Sequence, residues 1–108
     1  MRPLRDVLAL PVRLHGIQLG RPVDALVDPD VDRLLGFEVI CGDDTKRFLP
    51  FSVARVGADE IVLQSALTLI DERDLDFSRR RSRRLSELGY ADPWIDDDGA
   101  LHEARSAA

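Results

Sequence analysis

The sequence predicts a mainly β fold: a small β-barrel of five to six short antiparallel strands, followed by a short C-terminal helix and tail. Three observations lead there. Short runs of apolar residues alternate with polar ones at a period of two, the spacing that puts one set on each face of a strand. Turn signals recur roughly every 8–12 residues. Near Ile70 the composition then changes, and an arginine-rich stretch of good helix formers begins.

Taken in order, Leu4, Val7, Leu8 and Leu10 lie at near-helical spacing and predict one short helical turn, which Pro11 ends. Val12 and Leu14 open a first strand, and Gly16 and Gly20 bracket a tight bend. Val23, Ala25 and Val27 alternate with Asp24, Leu26 and Asp28; Pro22 donates no backbone hydrogen bond and belongs at the start of this strand or on an edge. Asp28-Pro29-Asp30 is a turn, because an Asp side chain bonds nearby backbone and proline presets φ. The returning strand, Arg33 to Cys41, places Leu35, Phe37, Val39 and Cys41 on one face and Glu38 on the other. Gly16 to Val39 therefore reads as the hairpin around which the chain is organised.

After a turn at Gly42-Asp43-Asp44, Lys46 to Phe51 forms a strand that Pro50 interrupts at an edge or corner. Ser52 to Val56 suits one helical or 3-10 turn, and Gly57-Ala58-Asp59 the next bend. Glu60 to Ala66 is a further strand, with Ile61 and Leu63 inward and Gln64 outward. Leu67 to Phe77 supplies a sixth strand or a linker. With Ser78 as its N-cap, Arg79 to Leu88 reads as a helix anchored by Leu85 and Leu88, with Gly89 placed to end it. Tyr90 to Gly99 is a turn-rich acidic segment, and Ala100 to Ala108 has too few apolar residues to fold alone. The organisation expected is a barrel over 1–70 and a helix with an acidic tail over 71–108, packed on the barrel or on a partner.

Three stretches together resemble the PRC-barrel family, the small β-barrel shared by the photosynthetic reaction centre H subunit and a bacterial ribosome maturation factor. They are Gly16-Ile17-Gln18-Leu19-Gly20 followed by Val23-Asp24-Ala25-Leu26-Val27-Asp28; Arg33-Leu34-Leu35-Gly36-Phe37; and Leu49-Pro50-Phe51-Ser52. The resemblance spans roughly Arg5 to Ala66. It implies a six-stranded barrel-like sheet and a non-enzymatic role in binding other proteins or closing an assembly.

Composition bounds the function. The 108 residues suffice for one modest core, and 6% aromatic content leaves aliphatic side chains to fill it. With 20 acids against 15 bases, the whole chain lacks the positive footprint of a nucleic-acid binder. Cys41 is the sole cysteine, which excludes an internal disulfide and reads as a small core residue. No apolar run approaches the ~20 residues of a membrane span, so a cytoplasmic protein without one is expected.

No residue pattern predicts catalysis, a cofactor or a metal. His15 and His102 have no ligand-spaced partner beside them. Asp96-Asp97-Asp98-Gly99 has consecutive acids where a calcium loop alternates them, and reads as an exposed turn. The strongest local signal is the run Arg79, Arg80, Arg81, Arg83, Arg84. It is either a solvated surface paired with Asp71, Glu72, Asp74, Asp76 and Glu87, or an anion-binding face. Trp94 either docks the tail within the chain or contacts a partner. The candidate partner-binding residues are therefore Arg79, Arg80, Arg83, Arg84, Leu85, Leu88 and Trp94. The predicted function is a scaffolding or protein-interaction module, binding a partner or a second copy as a homo-oligomer. The alternative is a ribosome- or RNA-associated maturation factor using the arginine helix.

Overall fold

A computed structural model describes residues 2–71 and 83–103. These residues form strands β1 (Arg2–Pro3), β2 (Val12–Leu14), β3 (Ile17–Asp28), β4 (Arg33–Cys41), β5 (Lys46–Pro50), β6 (Arg55–Val56) and β7 (Ile61–Leu63). Four more follow: β8 (Ile70–Asp71), β9 (Arg83–Arg84), β10 (Pro93–Ile95) and β11 (Leu101–Glu103). Helix α1 spans Leu4–Leu8, where Leu4 and Val7 are fully buried, each contributing about 1.5–3 kcal/mol by leaving water.

The mainly β expectation holds, with two open sheets. The larger runs β6-β7-β2-β3-β4-β5-β8, with β9 added to β3; the smaller is β1-β10-β11. Among the described residues β6 and β8 end the large sheet without pairing to each other, so its ladder does not close. The strands are also not all antiparallel. β2 pairs β7 in parallel, Val12 opposite Ile61 and Leu14 opposite Leu63.

The central hairpin is β3 and β4. The turn before it is two residues, His15 and Gly16, both at positive φ (51° and 80°), between the paired Leu14 and Ile17. This is the hairpin geometry that matches strand twist. Gly20, expected to close that bend, lies inside β3 opposite Cys41. The turn from β3 to β4 is anchored by Asp28, whose Oδ1 accepts from the Asp30 N–H at 3.0 Å.

Two bulges re-phase this hairpin. Pro22 pairs Val39 and Asp24 pairs Glu38, so Val23 is an extra residue; it is 46% exposed, against its expected inward position beside Ala25 and Val27. Leu26 pairs Gly36 and Val27 pairs Leu34, leaving Leu35 as the extra residue on β4. Leu34 therefore joins Phe37 and Val39 in the main core, and Leu35 moves to the opposite face with Leu26, Phe48 and Ile70. A bulge adds one residue to one strand and so reverses the alternation beyond it.

Two expectations for the C-terminal region are corrected. Across 83–88 the chain is not α-helical: Arg83 and Arg84 pair Val27 and Leu26 as β9, and Leu85–Glu87 is a single 3-10 turn. Positions 79–82 of the expected helix lie outside the described residues. The acidic segment from Tyr90 is not merely a turn-rich tail either. β10 and β11 form a hairpin on which Arg2 and Pro3 pair as a third strand, and Ile95 and Leu101 enter the same core as Leu4, Val7 and Phe37. Backbone bonds from Leu34 to Gly99 (2.7 Å) and from Leu101 to Asp32 (2.8 Å) fix this hairpin to the start of β4.

Candidate functional site

Of the sequence-derived candidates, Arg79 and Arg80 lie outside the described residues. Arg83 and Arg84 sit on β9 beside β3, and Leu85 and Leu88 pack half-buried against the main core. Trp94 is half-buried on β10, between Pro3 and His102 in the small sheet. Among the described residues the arginine candidates thus lie on the large sheet and Trp94 on the small one.

Arg84 keeps the expected pair with Glu87, at 3.6 Å, but turns partly inward to a second carboxylate. Its Nε donates to Glu38 Oε2 at 3.1 Å and its Nη2 lies 3.1 Å from the same oxygen, while Lys46 approaches Oε1 at 3.8 Å. The Glu38 carboxylate, through this hydrogen bond first and its charge second, raises the Arg84 guanidinium above its ordinary range. Glu38 needs these partners because its side chain is only 8% exposed. Ser86 adds a bond to Asp24, the residue opposite Glu38 across the strand pair. Arg84 and Ser86 therefore fasten the 83–87 segment to the sheet.

Sequence reasoning missed a different feature, a cleft of about 400 Å³ at the seam of the two sheets. Three separate stretches build it: Arg2 and Val7; Phe51, Ser52, Ala54, Arg55 and Val56; and Ile95, Asp96 and Asp97. Its apolar lining comes from Val7 and Ile95, both buried, with Phe51, Ala54 and Val56 partly so. The Phe51 ring tilts 56° against the fully buried Phe37 at 6.4 Å between centroids, which ties the cleft to the core.

The polar groups of the cleft differ in what they already hold. Arg2 reaches from the small sheet to the Gly57 carbonyl at 2.6 Å. Asp96 caps its own turn, accepting from the N–H groups of Asp98 (2.9 Å) and Ala100 (3.0 Å), and its Oδ2 lies 3.0 Å from His102 Nε2. The contact with His102, then the Ala100 N–H, holds the Asp96 carboxyl below its ordinary range. By contrast, Arg55 and Asp97 have no ion pair or side-chain hydrogen bond among the described residues. The cleft thus offers an apolar floor and, among the described residues, one unpaired charge of each sign.

Among the described residues, no group of three or more His, Cys, Asp or Glu is placed to hold a metal ion. No helix among them is long and apolar enough to cross a membrane. Compared with family models and with characterised proteins, the chain matches none.

Proposed function

We propose that this chain is a non-catalytic protein-interaction module of PRC-barrel type, docking a protein through the seam cleft. The observation that carries this reading is the lining of the cleft: an apolar floor continuous with the core, beside Arg55 and Asp97, which have no side-chain partner among the described residues. Interface centres combine apolar contact with polar groups that set orientation. Val53, 43% exposed on the 3-10 turn that carries Phe51 and Ser52, extends the apolar area beyond the cleft. Against the RNA alternative, Arg84 spends its charge on Glu38.

Photo-crosslinking tests the reading. A photoreactive residue at position 52, irradiated in the native cell, should give a discrete protein adduct that Arg55→Glu diminishes. The same residue in place of the exposed Gln64 should not. Equal, diffuse labelling from both positions would refute docking at the cleft. Retention of RNA on filters, falling steeply with salt, would instead favour the RNA reading.

A further inference from the structure

Resting on that reading, we infer that the occupant of the cleft is an extended segment of a partner polypeptide, added as a short strand to the open edge of β6. Among the described residues β6 ends the large sheet, paired on one side only, by β7. The register places Arg55 opposite Val62 and Val56 opposite Ile61, and the Gly57 N–H bonds the Glu60 carbonyl at 2.8 Å. In an antiparallel ladder, hydrogen-bonded and non-hydrogen-bonded pairs alternate. With Gly57 and Glu60 bonded, Val56 and Ile61 are the non-bonded pair, so the Val56 N–H and C=O face away from β7, towards the open edge.

Val56 also lines the cleft, and no backbone bond from its N–H or to its carbonyl forms elsewhere among the described residues. One free donor and one free acceptor therefore stand beside an apolar floor. This is the arrangement by which a sheet edge receives a peptide, with main-chain bonds giving affinity and pockets reading alternate side chains. Because β6 has only two residues, the strand gained is brief. Recognition then depends on side chains: an aliphatic residue over Val7, Phe51 and Ile95, an acidic residue towards Arg55 and a basic one towards Asp97.

The test titrates the isotope-labelled full chain, by amide NMR, with the blocked peptide Glu-Val-Leu-Val-Lys. Two variants are N-methylated at the leucine or at the following valine, and a third has an all-alanine interior. Saturable shifts should centre on residues 55–57 and 95–97, and the alanine peptide should bind more weakly. An extended strand presents alternate N–H groups to each side, so one methylation should weaken binding about three- to tenfold and the other should not. Asp97→Asn should weaken the parent peptide about two- to fivefold.

Equal binding of both methylated peptides and the parent would overturn strand addition. So would an absence of saturable shifts up to the solubility limit, or shifts lying away from the cleft. If dilution of the chain alone moves the 55–57 amides, a second copy is the occupant and the inference also fails. Any of these results alongside a discrete adduct from position 52 leaves the interaction module standing, whereas their occurrence with no adduct removes both.

Discussion

Phe37→Ala tests the core arrangement most directly. Phe37 is fully buried on β4, between Ala25 of β3 and Leu49 of β5, with the Phe51 ring 6.4 Å away. Truncating it removes transfer free energy and leaves a cavity bounded by paired strands, which relax little. Such substitutions cost about 3–5 kcal/mol, a large part of the ~5–15 kcal/mol that holds a domain of this size. With a urea dependence of about 1–3 kcal/mol/M, the unfolding midpoint should fall by roughly 2 M. Val23→Ala is the internal comparison. Val23 is expelled by its bulge, so its truncation should fall within about ±0.5 kcal/mol. A loss under about 1 kcal/mol for Phe37→Ala, or equal losses for the two variants, would refute the bulged register.

Gly36→Ala should destabilise by about 1–3 kcal/mol in the same assay, because an added Cβ would press on the Leu49 carbonyl and the Phe48 ring. Gly42→Ala meets open space and should be near neutral. Arg84→Met should cost about 1–3 kcal/mol by leaving the buried Glu38 carboxylate short of a partner, and Glu38→Gln in the same chain should recover part of that loss. Asp96 has a depressed carboxyl, so its contribution is present above the ordinary Asp value and lost as pH falls through the lower folded value. The acid-side slope of stability should therefore flatten in His102→Ala, read from urea midpoints between about pH 5 and 2. Burial raises the Cys41 thiol, so its labelling by a disulfide reagent at neutral pH should be slow and should accelerate on unfolding.

The sequence made the strands legible and concealed their phase. Alternation in Ala25 and Val27, or in Ile61 and Leu63, reports burial directly, and these residues are inward. A bulge leaves no such mark, because Val23 and Leu35 are chemically suited to the positions that strict alternation assigns them. Helix propensity misled at Arg83 to Leu88 for a related reason. Propensity sums local preferences, whereas pairing of Arg83 and Arg84 with β3, the Glu38 carboxylate and the core beneath Leu85 and Leu88 are nonlocal. The small sheet left a fainter signal: Trp94-Ile95 and Leu101 flank an acidic turn ending in Gly99, which adopts φ +85°.

The cleft had no local signature because it belongs to no segment. Arg2 and Val7 come from one end of the chain and Ile95 to Asp97 from near the other, while Phe51 to Val56 lie between them. Their meeting depends on two nonlocal contacts, β1 pairing β10 and the Arg2 guanidinium reaching the Gly57 carbonyl. Phe51 makes the arrangement more than a surface accident. One neighbour of its ring is Phe37 in the centre of the core; another is Gly99, where an added Cβ would lie 3.0 Å from the ring. The glycine that closes the acidic turn thus lets that turn approach the cleft floor, and the same turn places Asp97 at the mouth. Packing and presentation of charge are joined at one aromatic side chain, so a substitution that displaces Phe51 should alter ligand contact and stability together, whereas Asp97→Asn should alter contact alone.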